Sequence, residues 1–238
     1  MSTIAQTVIF DGDDTLWETE VLYDRARTAA RELIEQMGFD GERWEALQRI
    51  IDVQNVDLLG LSAIRFPTSC REAYESVCRE DGTSFDTAVA RAIYEAADTV
   101  FESTAPIYPD SLPVLESLSG KWRLMLLTRG DQKVQRRRID ESGLAQFFEE
   151  IRVVDEKTTA SWAALISDCG IDVSASWSVG NSIGSDITPA IECGLWAAWI
   201  PAHVWEREQH DGEPPASRRM RKLQALGELP DLLRDQLA

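Results

Sequence analysis

Two aspartates, Asp11 and Asp13, lie two positions apart near the start of the chain, where residues 8–17 read VIFDGDDTLW. In an extended segment, side chains two apart point to the same side, so the two carboxylates are expected to be close together. Such carboxylates are not both ionised readily unless a cation lies between them or one of them keeps its proton. The pair can therefore hold Mg²⁺, which prefers oxygen ligands, or supply a nucleophile that forms an aspartyl-phosphate.

The same residues can also form an ordinary solvated turn, because aspartate and glycine are common turn formers. Their position favours a functional role. The apolar, β-branched run before Asp11 predicts a buried strand that ends at the acidic residues. Open α/β sheets carry their sites at the carboxyl ends of strands, which is where this prediction places Asp11 and Asp13.

Three later segments carry polar residues at or just after predicted strands. Thr128 ends an apolar run, and its hydroxyl and the backbone N–H groups that follow can bind a phosphoryl oxygen. Lys157 comes after a third strand, in a chain where only four of 24 basic residues are lysines. Residues 180–186, GNSIGSD, follow a fourth strand and offer the side-chain oxygens of Asn181 and Asp186. Taken singly, each is more often structural: a threonine at a strand end, a surface lysine, a turn.

Together and in this order, the four segments resemble the signatures of the haloacid dehalogenase (HAD) superfamily, the first of which is a hydrophobic run followed by D-x-D-x-T. In that family the first aspartate is the nucleophile and the second is the general acid/base. The resemblance therefore implies these roles for Asp11 and Asp13. It also implies that Thr128 and Lys157 stabilise the transferring phosphoryl group, with Arg129 beside them at the phosphate-binding site.

The resemblance further implies a Mg²⁺ site made of the Asp11 carboxylate, the Asp13 backbone carbonyl, Asn181 and Asp186. Asn181 stands where the fourth signature, G-D-x-x-x-x-D, has its first acid. Its amide oxygen can coordinate the ion but adds no negative charge, so weaker metal binding is expected. A second departure is Thr158, since many members have proline after the lysine.

Residues 17–104 are predicted to form a helical insertion, because apolar residues recur at spacings of three and four in four segments. Four amphipathic helices suggest a small bundle, as in family members with a cap between the first and second signatures. From residue 105 onward helices alternate with strands, which predicts a parallel sheet with right-handed crossovers. The expected fold is α/β, with a Rossmann-like core of residues 1–16 and 105–238 and a helical cap of residues 17–104.

Local signals add smaller expectations along the chain. Ser84 and Asp131 are placed to cap the helices that follow them. Residues 203–219 are expected to form a loop, followed by a short strand near Leu223 and a last helix from Glu228.

Residues 61–68 are expected to interrupt the helices of the cap, because proline at position 67 is incompatible with a smooth helix interior. Cap loops in the family face the core site, and Arg65 is the only formal charge between Asp57 and Arg71. Its guanidinium can bind a substrate carboxylate or second phosphate through two hydrogen bonds. The alternative is a surface arginine whose aliphatic stem covers an apolar patch.

The charge balance is strongly acidic, with 24 Lys and Arg against 41 Asp and Glu and a net charge of −17. Electrostatic binding to nucleic acid or an anionic membrane is therefore not expected. No apolar stretch approaches the roughly 20 residues of a membrane helix, and the start lacks a signal-peptide core. Four cysteines without metal-binding spacing predict reduced thiols in a cytoplasmic protein, present as a monomer or homodimer.

The expected activity is Mg²⁺-dependent hydrolysis of a small phosphorylated metabolite through an aspartyl-phosphate. Carbon–halogen hydrolysis is a rival, although Asp13 argues against it because a departing halide needs no proton donor. Phosphoryl transfer to a sugar, a mutase activity, uses the same core residues. A non-catalytic binding or regulatory protein is the third alternative.

Overall fold

The computed structural model describes residues 6–202, 205 and 217–235. The chain divides into two compact units, Met1–Glu18 with Ala105–Ala238, and Thr19–Thr104. The sequence places this division two residues earlier, after residue 16. No helix among the described residues combines the length and the apolar character needed to cross a membrane.

The helical unit, Thr19–Thr104, contains five of the described helices: α1 (Glu20–Gln36), α2 (Gly41–Gln54), α3 (Val56–Leu59), α4 (Arg65–Glu80) and α5 (Thr87–Glu102). Helix α1 packs on α5, and α4 packs on both α2 and α5. The buried face of α1 carries Leu22, Ala26, Ala30 and Ile34, which recur at the helical spacing. The predicted amphipathic pattern therefore accounts for how these helices associate.

One local prediction in the helical unit holds in part and another is wrong. Residues 61–64 lie between α3 and α4, as expected for the interruption predicted at residues 61–68. Residues 65–68 are helical instead, because Pro67 is the third residue of α4, where a backbone N–H has no partner within the helix in any case. The residue that caps α5 is Asp86 and not Ser84. The Asp86 carboxylate accepts hydrogen bonds from the backbone N–H groups of Ala88 at 2.7 Å and Val89 at 3.4 Å.

The other unit is built on a sheet of six parallel strands within the described residues, in the order β3-β2-β1-β4-β5-β6. The strands are β1 (Thr7–Phe10), β2 (Arg123–Arg129), β3 (Glu150–Val154), β4 (Trp177–Gly180), β5 (Trp196–Trp199) and β6 (Met220–Lys222). This confirms the predicted α/β class and the short strand before Leu223. The strand order reverses between β1 and β4, and ligands of open parallel sheets bind at the carboxyl edge of such a point.

Helices alternate with these strands: α6 (Ser111–Leu118), α7 (Gln132–Ser142), α8 (Thr159–Cys169), α9 (Thr188–Glu192) and α10 (Leu229–Asp235). The predicted cap of α7 is confirmed, because the Asp131 carboxylate accepts hydrogen bonds from the backbone N–H groups of Lys133 and Val134. One buried cluster against the sheet joins residues of β1, β2, α8 and α9, namely Ile9, Met125, Leu127, Trp162, Leu165 and Ala190. Most of the loop expected at residues 203–219 lies outside the described residues.

Candidate active site

Asp11 lies directly after β1, at the carboxyl edge of the sheet. Its backbone N–H donates to the carbonyl of Val179 in β4 at 2.9 Å, which continues the pairing of the two strands by one residue. The side chain is buried, with 7 % of its residue surface exposed. The prediction that Asp11 follows a buried strand at the carboxyl edge of the sheet is therefore confirmed. Asp11 also lies where the strand order reverses.

Lys157 connects Asp11 to Asp186. Its ammonium forms an ion pair with Asp11 Oδ1 and donates a second hydrogen bond to Asp186 Oδ1 at 2.7 Å. All three side chains are buried. Two carboxylates and one ammonium leave a formal charge of −1 at a site where little of any of the three residues is exposed to solvent.

This charge arrangement shifts the acid–base behaviour of the buried groups. Burial raises the pKa of Asp11 to about 7, Lys157 opposes the shift, and the charge of Asp186 adds to it. Burial alone would lower the pKa of Lys157, but the charges of Asp11 and Asp186 outweigh it, and the pKa is raised. Lys157 is therefore a cation at neutral pH, whereas Asp11 is partly protonated unless further positive charge lies beside it.

Asp186 is fixed by the turn that follows β4. It lies in a π-helical turn, Ile183–Ile187, and its Oδ2 accepts the backbone N–H of Ser182 at 3.0 Å. A Cβ at Gly180 would lie 2.3 Å from Asp186 Oδ2, so the close approach requires glycine. The indole N–H of Trp162 in α8 donates to the backbone carbonyl of Ser185 in this turn at 2.9 Å.

Thr15, the threonine of the D-x-D-x-T string, links the first segment to the fourth. Its hydroxyl donates to Asp11 Oδ2 at 2.9 Å and lies 3.5 Å from Asn181 Oδ1. Asn181 is buried, and its backbone carbonyl accepts the indole N–H of Trp199 at 2.9 Å. The sequence assigned no role to Thr15, although its place in the string was the available signal.

Asp13 is held by three hydrogen-bond donors. The indole Nε1 of Trp17 donates to Oδ1 at 2.7 Å, and Oδ2 accepts both Gln135 Nε2 at 2.8 Å and Arg138 Nη1 at 2.9 Å. Gln135 and Arg138 come from α7 and are buried. Sequence reasoning missed both, since their only signal was a helix rich in basic residues.

The glycine between the two aspartates is required by packing. A Cβ at Gly12 would lie 2.4 Å from the ring of Trp17, which is itself buried. The backbone carbonyl of Gly12 accepts the N–H groups of Thr15 at 3.2 Å and of Leu16 at 2.8 Å. The tight turn therefore fixes the directions of Asp11 and Asp13 relative to each other.

Thr128 and Arg129 end β2 beside these groups. The Thr128 hydroxyl is buried and donates to Gln135 Oε1 at 3.2 Å. Arg129 Nη1 lies 3.6 Å from Glu156 Oε2. Arg129, Glu156 and Lys157, with Gly184 and Ser185, line a cavity of about 350 Å³ in this unit.

Arg65 has a different setting from the one expected. In the helical unit, its buried guanidinium pairs with the carboxylate of Asp52 from α2, and Nη1 donates to the Asp52 backbone carbonyl at 3.2 Å. Burial raises the pKa of Asp52, and the charge of Arg65 opposes the shift. The irregular loop expected around Arg65 is therefore wrong, because Arg65 begins α4, and its anionic partner in the structure is Asp52. Nor is Arg65 a surface residue. The substrate contact of Arg65 stays a prediction.

The described residues contain no group of three His, Cys, Asp or Glu side chains placed to hold a metal ion. The metal ligands predicted from the sequence are not such a group, because only two of them are carboxylates. The other two are the amide oxygen of Asn181 and the backbone carbonyl of Asp13. Asp11, Asp186 and Asn181 are all buried on the loops after β1 and β4. Oxygen donors with a net charge of −1, after Lys157 is counted, fit a hard divalent cation.

Comparison with known proteins finds a family model, described as haloacid dehalogenase-like hydrolase, that matches residues 5–194. The curated pyrimidine 5'-nucleotidase YjjG of Escherichia coli (strain K12) is 28% identical over 113 residues, which are 45% of this chain and 49% of the relative. The chain therefore matches about half the length of that relative.

Solved structures share the fold. A haloacid dehalogenase-like hydrolase from Xanthomonas campestris has a TM-score of 0.79 and 22% identity, covering 98% of this chain and 92% of that one. The HAD hydrolase YfnB from Bacillus subtilis, solved bound to magnesium, has a TM-score of 0.65 and 18% identity, with 98% and 100% covered. Haloacid dehalogenases are also among the similar structures. At these identities the likeness concerns the fold alone.

Proposed function

Because this chain belongs to the haloacid dehalogenase-like hydrolase family, we propose that it is a Mg²⁺-dependent phosphatase that hydrolyses small phosphomonoesters through an aspartyl-phosphate. The observation that carries the proposal is the second carboxylate, Asp13, held by three donors two residues from the buried Asp11. Cleavage of the ester P–O bond releases an alkoxide, which needs a proton that a residue at this place can supply. A halide needs none.

In the first half of the reaction, a carboxylate oxygen of Asp11 attacks phosphorus, and a new O–P bond forms as the ester P–O bond breaks. Protonated Asp13 gives its proton to the leaving oxygen, so the alcohol departs neutral. In the second half, a water molecule attacks phosphorus and gives a proton to Asp13. The O–P bond to Asp11 breaks, which releases inorganic phosphate and restores both aspartates.

Lys157 and Thr128 act on the phosphoryl group during these steps. The ammonium of Lys157, already fixed by two carboxylates, is placed to neutralise charge on Asp11 and on a phosphoryl oxygen. The hydroxyl of Thr128 donates its hydrogen bond to Gln135 Oε1 in the structure and would donate it to a phosphoryl oxygen when substrate is bound. Arg129 lines the adjoining cavity, which suits a further anionic group.

Mg²⁺ would be held by Asp11, Asp186, Asn181 and the backbone carbonyl of Asp13. Bound there, it supplies positive charge that stabilises the phosphoryl oxygens in the transition state. A divalent cation would also convert the net charge of Asp11, Asp186 and Lys157 from −1 to +1. Asp11 would then be ionised at neutral pH, as a nucleophile must be.

The test is release of inorganic phosphate by the purified protein, with Mg²⁺ and with a chelator. The panel includes pyrimidine nucleoside 5'-monophosphates, because a curated relative is named for that activity, together with sugar phosphates, small carboxylated esters and p-nitrophenyl phosphate. Phosphate release that needs Mg²⁺ is expected. Halide release from 2-haloacids, with no release of phosphate, would overturn the proposal. Sugar phosphate isomers formed in place of phosphate would indicate a mutase, and no turnover of any kind would favour a binding protein.

A further inference from the structure

Asp13 contacts a pair of side chains that no part of the reaction described above uses. Gln135 and Arg138 both direct donors to Asp13 Oδ2, at 2.8 and 2.9 Å. They are three residues apart on α7, so they lie on one face of that helix. Each has less than a twentieth of its surface exposed, although both are long and polar.

The helix that carries them is itself fixed close to the site. Asp131 caps its first turn, and the backbone N–H of Gln135 donates to the Asp131 carbonyl at 2.9 Å. Gly130, at φ 125°, adopts a conformation that favours glycine, and a Cβ there would lie 3.3 Å from Gln135 Nε2. The amide of Gln135 is therefore confined between this turn and Asp13.

Gln135 also connects Asp13 to the end of β2. Its Nε2 donates to Asp13, and its Oε1 accepts the hydroxyl of Thr128. Trp17 holds the other oxygen of Asp13 through an indole whose ring is buried and packs against Gly12. Both carboxylate oxygens are thus restrained by groups with little freedom of their own.

We infer that Arg138 and Gln135 are positioning residues that hold the carboxylate of Asp13 in the orientation from which it exchanges a proton with the leaving group. This inference rests on the proposed phosphatase function. A carboxylate with χ2 free to rotate spends only part of its time in a productive direction, and correct placement of a general acid contributes strongly to rate. A charged, forked donor such as arginine restrains a carboxylate better than a neutral group of similar size.

The decisive experiment uses Arg138→Met in the full chain, with Arg136→Met as the matched control on the exposed face of the same helix. Two esters are compared by kcat/KM, which covers the steps up to departure of the leaving group. Phenyl phosphate has a basic leaving group that needs the proton of Asp13, whereas 2,4-dinitrophenyl phosphate leaves without one. We expect Arg138→Met to lose about tenfold or more on phenyl phosphate and little on the dinitrophenyl ester. Arg136→Met should change neither.

Two further variants keep the test valid if Arg138→Met does not fold. Arg138→Lys, which retains the charge, should recover part of the activity on phenyl phosphate. Gln135→Met should show the same selective loss as Arg138→Met. Equal losses on both esters, or none on either, would overturn the inference. So would a gain on phenyl phosphate, because Arg138 would then restrain Asp13 from acting.

A second readout does not depend on activity. The indole N–H of Trp17, which donates to Asp13 Oδ1, is to be followed in a ¹H–¹⁵N correlation spectrum. Arg138→Met should shift this signal towards its position in Asp13→Asn, and Arg136→Met should leave it in place. An unmoved signal in a folded Arg138→Met protein would overturn the inference. If the wild-type protein hydrolyses neither these esters nor any other phosphate ester of the panel, the proposed function fails, and the indole signal alone decides whether Arg138 positions Asp13.

Discussion

Lys157 and Asp186 form a buried ion pair of 2.7 Å between side chains that follow β3 and β4, two strands on opposite sides of β1. The pair therefore spans the carboxyl end of β1, where Asp11 emerges and shares the same ammonium. Because three loops from separate strands contribute to one charge cluster, the cluster can be altered one member at a time.

Replacing Asp11 by asparagine should abolish phosphatase turnover while the fold persists. The side chains are nearly the same size, and Lys157 retains Asp186 as its partner. The measurement is phosphate release from the best substrate of the panel, with circular dichroism to check folding. A folded variant that kept more than a few per cent of the wild-type rate would show that Asp11 is not the nucleophile.

In the absence of metal, Asp11 should make stability fall as pH rises. Its pKa in the folded protein is about 7, above the ordinary value of 3.8. An acid whose pKa is raised on folding contributes most to the free energy of unfolding below pH 3.8. That contribution is lost as pH rises through about 7. With a chelator present, the Tm of wild type should therefore fall, relative to Asp11→Asn, between about pH 5 and about pH 8. Parallel Tm profiles for the two proteins would contradict the raised pKa of Asp11. Saturating Mg²⁺ should reduce the fall in Tm.

The substitution Asn181→Asp should tighten Mg²⁺ binding. Asn181 places an amide oxygen beside Thr15 and Asp11 but brings no charge, and an aspartate would add one negative charge next to the ion. Isothermal titration with Mg²⁺ compares the affinity of this variant with that of the wild-type protein. Unchanged or weaker affinity in the aspartate variant would remove Asn181 from the ligand set.

Replacing Arg65 by methionine should destabilise the protein by about 3–5 kcal/mol, because it leaves the buried carboxylate of Asp52 without its cation. Adding Asp52→Asn should recover part of the loss. Arg79→Met is the control, since Arg79 is exposed on the same helix. Chemical denaturation of the four proteins measures the free energy of unfolding. Full stability of Arg65→Met, combined with loss of activity on anionic substrates only, would contradict a structural role and support the predicted substrate contact.

The sequence predicted those parts of the site that depend on local pattern. A β-branched run followed by Asp11, and an apolar run that ends at Thr128, indicate strands because hydrophobic periodicity is a local property. In the same way Asp131 was identified as a cap from its immediate neighbours. The family resemblance then supplied roles that spacing alone left open between a metal site, a nucleophile and a simple turn.

The contacts that could not be predicted all depend on which elements meet in space. Arg138 contacts Asp13 only because α7 packs beside the loop after β1, and a run of three arginines does not reveal which of them faces inward. The partner of Arg65 is thirteen residues away on another helix. Pro67 was misread because a proline in a first turn and a proline in an irregular segment look the same in sequence.

The strand order has a consequence for how the protein is made. Strand β1 is synthesised before the helical unit, Thr19–Thr104, whereas its neighbours in the sheet, β2 and β4, are synthesised after that unit. That unit is continuous in sequence, so its contacts can form early, while β1 must wait for distant partners, which slows folding. The backbone of Asp11 is bonded only when Val179 arrives. A nascent chain therefore carries Asp11 long before the segments that supply its partners, Lys157 and Val179, have been synthesised.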